Sequence, residues 1–234
     1  MGALQTTPLS QETLLERLHS ARKQSDALFS IVKPEFLYER PIAERHRIVF
    51  YIGHLEAFDW NLLRERVFQA GPFNPNFDRL FAFGIDPVDG GLPSDQPKDW
   101  PNIESVREYV AHTRRTIDDN LSGHFSKNTE ILLNVAIEHR LMHAETLAYM
   151  LHQLPYDRKQ QLHSKPLLVT DAVTPSMVEI PSGTATLGLS RDDVQFGWDN
   201  EYEINRVEVP PFTIDKYMDE RAVSGIHRCR WISE

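Results

Sequence analysis

The sequence is poor in cysteine and in positive charge, and it has no long apolar run. Cys229 is the only cysteine among 234 residues, which excludes a disulfide within the chain and a cysteine-based zinc site. Lysine and arginine number 25 against 34 acidic residues, for a net charge of −9. Because no basic stripe offsets this charge, we expect no binding to nucleic acid or to anionic membranes. No segment approaches the ~20 apolar residues of a membrane span, and no signal peptide is evident at the start, so a cytoplasmic protein is expected.

Residues 1–158 have the pattern of a helical bundle. Ser10 is a suitable N-cap for a first helix, which is expected to end at Pro34 because a proline ring interrupts the hydrogen-bond ladder. Further helices are predicted, from apolar residues at helical spacing, at 42–69, 76–83 (a short piece), 102–121 and 128–153. Four long helices predict a mainly α fold, an up-and-down four-helix bundle. The segment at 84–101, with four prolines and three glycines, is expected to border a site, since loops of this length usually carry function.

The composition changes after the bundle. Residues 159–177 are expected to form a linker, and 178–218 to form short strands, because apolar and small residues alternate around Gly183 and Gly188. About forty residues of β structure cannot close a core of their own. We therefore expect the β-rich start of an incomplete α+β domain.

Two histidines four residues apart lie within the apolar stripe of the fourth helix. His139 and His143 differ by about 40° around the helix axis and by one turn along it, so both imidazoles can reach one ion. On the second helix, His54 shares a face with Phe50 and Phe58 and should also point inward, and Gly53 beside it leaves room for another helix to approach. Ordinary core histidines are the alternative, but three inward-facing residues on two helices favour a metal site.

The identity of the metal is not fixed by the ligands alone. Imidazoles suit zinc, copper, iron or nickel, and there is no thiolate to narrow the choice. Three neutral ligands leave coordination positions open, which is typical of a reactive site, whereas structural zinc is closed by four protein ligands. Asp59 and Glu145 are candidate acceptors for the ring N–H groups of the ligand histidines, although each could equally be an exposed carboxylate. Five further histidines are expected to be solvated or at the surface: His46, His112, His124, His152 and His163.

Two stretches resemble the DinB-like domain of the EgtB-type sulfoxide synthases of ergothioneine biosynthesis: YIGHLEAFDWNLL around His54, and EHRLMHAETL around His139 and His143. The segment 177–217 looks like the opening of the formylglycine-generating-enzyme-like (sulfatase-modifying factor) domain that follows it in those proteins, which has a C-type-lectin-like fold. The resemblance covers about residues 10–217, and the order of the two domains makes it more specific than either motif.

The resemblance implies an Fe(II)- and O₂-dependent enzyme. His54, His139 and His143 would hold one face of a mononuclear non-haem iron, and the substrates would be trimethylhistidine (histidine betaine), a cysteine-type thiol and O₂. The product would carry a carbon–sulfur bond to the imidazole C2 and a sulfoxide. The alternatives are a catalytically inactive DinB-like metal-binding or scaffold fragment, and a DinB-like metal-dependent thiol transferase.

Two departures from the family pattern affect these expectations. Met142 stands where many relatives have a glutamine that contacts the imidazole substrate, which leaves open a different thiol or a selenium donor. Family members also continue into a longer second domain that supplies a proton-donating tyrosine, whereas residues 219–234 form a tail without the family pattern. The tail predicts a frameshift or truncation, with a natural short variant as the other interpretation.

Overall fold

Side chains at the helix starts explain where most of the helices begin. The computed structural model describes residues 10–85, 91–123, 125–160, 174–192 and 196–217. Within these ranges there are five α-helices: α1 (Gln11–Phe29), α2 (Ile48–Leu63), α3 (Pro75–Phe83), α4 (Ile103–Leu121) and α5 (Lys127–Gln153). Each start except that of α2 has a side-chain oxygen that accepts a hydrogen bond from a first-turn N–H; these caps are Ser10, Asn74, Asn102 and Ser126.

The start of α2 differs from the prediction. The helix was expected from residue 42 but begins at Ile48, because the Ile48 and Val49 N–H groups donate to the carbonyls of Glu39 and Leu37 instead. At its other end, α2 passes into a π-helical turn, Arg64–Phe68, a form often found at functional sites. The predicted end of α1 at Pro34 was also too late. The helix ends at Phe29, and a short 3₁₀ turn begins at Pro34.

The helices pack as a bundle around an apolar core. α5 lies chiefly along α1, and α2 lies against α3 and α4. The predicted mainly α fold followed by short strands is confirmed, with α3 as an additional short helix. None of these helices, within the described ranges, is both long and apolar enough to cross a membrane.

The described residues divide into two units, the helical unit within 10–160 and a β unit within 174–217. The β unit contains β1 (Met177–Ile180), β2 (Gly183–Leu187), β3 (Asn205–Val209) and β4 (Phe212–Asp215). β1 pairs with β4 and β2 with β3, both antiparallel, in one continuous register. The ladder is interrupted at Pro181, which in this register lies opposite Pro211, because proline has no N–H to donate. The predicted tail at 219–234, most of the predicted linker, His124 and His163 lie outside the described residues.

Candidate metal centre

The fold brings the three predicted histidines together. His54 extends from α2 and His139 and His143 from α5, and one ring nitrogen of each lies within 4.8 Å of the others. The Nε2 atoms of His54 and His143 are 3.2 Å apart. Since metal–imidazole bonds are about 2.0–2.1 Å long, two nitrogens bound to one ion are at most about 4.2 Å apart. The 3.2 Å pair fits around one ion as it stands, and a pair near 4.8 Å must move closer on binding.

The orientation of His54 is set by a backbone carbonyl. Its Nδ1 lies 2.7 Å from the carbonyl oxygen of Phe81 on α3. A carbonyl can only accept, so Nδ1 carries the proton and Nε2 presents its lone pair to the centre of the site. This is the usual way in which a ligand histidine is fixed by a second hydrogen bond.

Gly53 makes that contact possible, as the sequence predicted. A Cβ atom at position 53 would lie 2.4 Å from the ring of Phe81, which is far inside van der Waals contact. Phe81 is fully buried. The missing side chain of Gly53 therefore lets α3 approach α2 closely enough for the Phe81 carbonyl to reach His54.

Aromatic rings enclose the imidazoles. Phe58 stacks on His139 with centroids 3.5 Å apart and an interplanar angle of 11°, and Phe50 stacks on His54 at 4.7 Å. The Nδ1 atoms of His139 and His143 are buried and have no hydrogen-bond partner among the residues that the structure describes. In His143 this is the ring nitrogen other than the Nε2 that approaches His54.

The site keeps its imidazoles neutral. Burial lowers the pKa of His139 to about 2, and repulsion from His143 and His54 acts in the same direction. Burial likewise lowers the pKa of His143 to about 4, and it lowers the pKa of His54. Metal binding requires neutral imidazole, so the three side chains are in the ligating form at neutral pH.

These lowered pKa values predict an acid-sensitive fold. An unfolded histidine has a pKa of about 6.5, so below that pH the unfolded chain binds protons that the folded, metal-free protein does not. The neutral histidines make their full contribution to the free energy of unfolding above about pH 6.5. As the pH falls toward 4 this contribution is lost, by up to about 1.4 kcal/mol per pH unit for each histidine. Urea unfolding with a chelator, at about pH 7, 5.5 and 4.5, should show this decline.

The control for the acid sensitivity is His139→Phe, which keeps an aromatic ring against Phe58. Its free energy of unfolding should fall less steeply with pH than that of the wild type, because carboxylates titrate equally in both proteins. Parallel pH profiles would contradict the assignment of the decline to the histidines.

Within the described residues, neither of the two predicted acceptor carboxylates receives a hydrogen bond from the three imidazoles. The Asp59 side chain is fully buried and its Oδ2 lies 2.6 Å from Nη2 of Arg140, whereas Glu145 is exposed. The recorded acceptor for a ring N–H of the three histidines is the Phe81 carbonyl. Sequence reasoning did not identify Arg140, a charged residue within the core.

A buried ion network surrounds Arg140. Its Nη1 donates to Glu56 Oε1 at 3.0 Å, and Arg114 donates to the same oxygen at 2.7 Å. Burial alone would raise the pKa of Glu56, but the two guanidiniums outweigh it and hold that pKa at about 2. Burial and the neighbouring Glu56 raise the pKa of Asp59 despite Arg140.

His46 is not solvated as predicted. It is half-buried, its ring lies 4.2 Å from that of Phe50, and a Cβ atom at Gly84 would meet its ring at 2.4 Å. The start of α2 at Ile48, later than expected, is what releases His46 from the helix and lets it turn inward. His112 is also half-buried, stacked on Phe73 at 3.5 Å, whereas His152 is exposed as predicted.

The described part of the proline-rich loop is anchored close to the site. The Asp95 side chain is completely buried and accepts hydrogen bonds from Trp100 Nε1 at 2.6 Å and Arg47 Nε at 2.9 Å. Trp100 in turn contacts the ring of Phe50 edge-on at 5.9 Å, and Phe50 stacks on His54. The expectation that this loop borders the site agrees with these contacts.

Together these features define a helical bundle with an open three-histidine candidate metal centre. No model of a protein family matches the chain. Two curated proteins do, both named Ergothioneine biosynthesis protein 1. That from Neurospora crassa is 31% identical over 205 residues, covering 76% of this chain and 23% of the relative. That from Schizosaccharomyces pombe is 26% identical over 227 residues, covering 79% of this chain and 28% of the relative.

These relatives confirm the resemblance to ergothioneine-biosynthesis proteins that the sequence motifs indicated. The chain is similar in sequence to both of them. It spans about a quarter of the length of the curated relatives that it matches.

Proposed function

We propose that this chain provides the iron-binding part of an EgtB-like sulfoxide synthase in ergothioneine biosynthesis, with Fe(II) held by His54, His139 and His143. The convergence of one nitrogen from each histidine within 4.8 Å is the observation that carries the proposal. The names of the two fungal relatives support the pathway. Three neutral imidazoles on one side of an ion leave the remaining positions free for substrates.

The proposed reaction joins a cysteine-type thiol to trimethylhistidine. It forms a bond from sulfur to the imidazole C2, adds one oxygen atom to the sulfur, and releases water. The thiol hydrogen and the C2 hydrogen leave in that water, so one O₂ accepts the four electrons lost by sulfur and carbon. Iron would supply O₂ binding and redox chemistry while aligning both substrates.

The residues of the chain have defined parts in this proposal. The Phe81 carbonyl keeps a proton on Nδ1 of His54, so that the Nε2 lone pair faces the site. Phe50 and Phe58 cover the imidazole faces and exclude water from them. Met142, with 46% of its surface exposed, offers a thioether where the family resemblance implies an amide, and it cannot donate a hydrogen bond to substrate.

Iron binding by the chain can be tested directly. Anaerobic titration of the purified protein with Fe(II) should give one site, and His54→Ala and His143→Ala should each weaken binding by more than about 100-fold. Loss of an outer-shell partner already costs about 10–100-fold, and loss of a ligand should cost more. Calorimetry or equilibrium dialysis measures the affinities.

The matched control is His152→Ala, an exposed histidine on the same helix as two of the candidate ligands. It should bind Fe(II) as the wild type does. Equal binding by all variants would refute the ligand assignment. Incubation of the iron-loaded chain with trimethylhistidine, a thiol and O₂ then separates an active synthase from an inactive metal-binding module, because only the former yields the sulfoxide.

A further inference from the structure

Arg140 links the two helices that supply the candidate ligands. Its side chain is fully buried on α5, directly after His139. The guanidinium donates to Glu56 at 3.0 Å and to Asp59 at 2.6 Å. Both acceptors lie on α2, two and five residues after His54. The link is therefore made at the level of the histidines.

The geometry of this link suits a positioning role. Arg140 also donates to the Leu55 carbonyl at 3.1 Å, so its planar guanidinium is held at three points on α2. α5 lies chiefly along α1, and contacts of this kind are needed to fix it against α2 near the site. A metal site tolerates deviations of only about 0.2 Å in ligand distance. The N–H donors of a guanidinium have fixed relative directions, so they can hold two helices within such a limit.

The main acceptor is itself immobilised. Arg114 on α4 donates to Glu56 Oε1 through Nε at 2.9 Å and through Nη2 at 2.7 Å. The same guanidinium donates hydrogen bonds to both carboxylate oxygens of Asp26 on α1, at 2.7 and 2.8 Å. Glu56 is thus held from α4 while it holds Arg140 of α5. A shift of α5 along α2 would therefore break the hydrogen bonds of Arg140, because Glu56 could not move with it.

Stability alone does not account for such a network. The desolvation of buried charges roughly cancels their attraction, and apolar or neutral groups of similar volume often serve as well. The best-attested role of buried ionic groups is to fix the register between two packed secondary-structure elements. Here the register concerned is that of His139 and His143 relative to His54.

We propose that Arg140, held by Glu56 and Asp59, is a positioning residue that sets the separation between the histidine of α2 and the two histidines of α5 for metal binding. This inference rests on the proposed function, in which the three histidines hold a metal ion. A purely electrostatic role predicts a different result: a lysine at position 140 keeps the positive charge beside the site, so charge alone predicts unchanged Fe(II) binding in Arg140→Lys.

The test compares Arg140→Lys with the triple variant Arg140→Met/Glu56→Gln/Asp59→Asn. The first keeps the charge but loses the planar fork, and the second removes the charges without leaving a buried ion unpaired, which protects the fold. Both should bind Fe(II) about 10–100-fold more weakly than the wild type, as other outer-shell substitutions do. The visible absorption of the Co(II)-loaded proteins, which reports coordination geometry, should also change.

The control is Arg17→Met. Arg17 links α1 to α5 through Glu138, the residue before His139, at 3.4 Å, but its recorded partners do not include α2. It should leave both the Fe(II) affinity and the Co(II) spectrum unchanged. Thermal unfolding of the metal-free proteins verifies that each variant is folded.

The outcomes are distinct. The positioning role is supported if both variants bind Fe(II) more weakly and have an altered Co(II) spectrum, while Arg17→Met has the wild-type affinity and spectrum. Wild-type affinity and spectrum in either folded variant overturn it, Arg140→Lys being the variant that leaves the charge unchanged, and so does tighter binding. If the wild type itself binds neither Fe(II) nor Co(II), the proposed function fails, and this inference fails with it.

Discussion

Arg140→Met alone is expected to lower the free energy of unfolding by about 3–5 kcal/mol, the usual cost of leaving a buried charge without its partner. Asp59 would lose the guanidinium that approaches it at 2.6 Å, while Glu56 would keep Arg114. Urea unfolding at neutral pH measures the loss. The loss should shrink as the pH falls, because burial raises the pKa of Asp59 and a protonated carboxyl needs no counter-charge.

Two further variants separate this effect from simple loss of packing. Arg140→Met/Glu56→Gln/Asp59→Asn should recover most of the lost stability, because no unpaired buried carboxylate remains. Arg17→Met breaks an ion pair whose side chains are 37% and 36% exposed and should cost at most about 1 kcal/mol. A loss below about 1 kcal/mol in Arg140→Met would contradict the prediction.

Phe81→Ala is expected to lower the free energy of unfolding by about 3–5 kcal/mol, the range for truncating a buried aromatic residue. The ring is fully buried, packs edge-on against Phe77 at 5.4 Å and fills the space above Gly53. Its removal opens a cavity between α2 and α3. Chemical denaturation of the metal-free protein measures the loss.

The contact between Phe81 and Gly53 predicts a reversal of sign in a double-mutant cycle. In the wild type, Gly53→Ala should destabilise by about 1–3 kcal/mol through overpacking. In the Phe81→Ala background the same substitution has room, and the higher helix propensity of alanine should stabilise by up to about 1 kcal/mol. Gly71→Ala, at a position with open space around it, is the control. Additive effects would show that the two residues are not coupled.

The cluster of three histidines was the part of the candidate site most accessible from the sequence. The i, i+4 spacing of His139 and His143 sets their relative position on one helix, and the inward face of α2 follows from apolar periodicity around His54. The empty position at Gly53 was likewise predictable as a place of close approach. These features depend on helical geometry alone, which local sequence determines.

Features that depend on partners distant in sequence were not predictable. Arg140 falls four residues after buried Ala136 and seven after buried Leu133, so the helical pattern gives it an inward direction. However, an arginine is rarely buried unless it is paired, and its partners lie more than eighty residues earlier. His46 turned inward because α2 begins late, which follows from backbone hydrogen bonds to Leu37 and Glu39 that have no local sequence signal.

The hydrogen bond from His54 to Phe81 has a consequence for α3, which contributes no ligand. Phe81 lies in the last turn of that helix, where carbonyls lack partners within the helix, and the imidazole N–H satisfies one of them. A cation bound at Nε2 withdraws electron density from the ring and makes Nδ1–H a stronger donor, so occupancy of the site tightens the end of α3. Thermodynamic reciprocity requires the converse: whatever frays the end of α3 would weaken the binding of the cation, so this short helix would contribute to the energetics of a site to which it supplies no ligand.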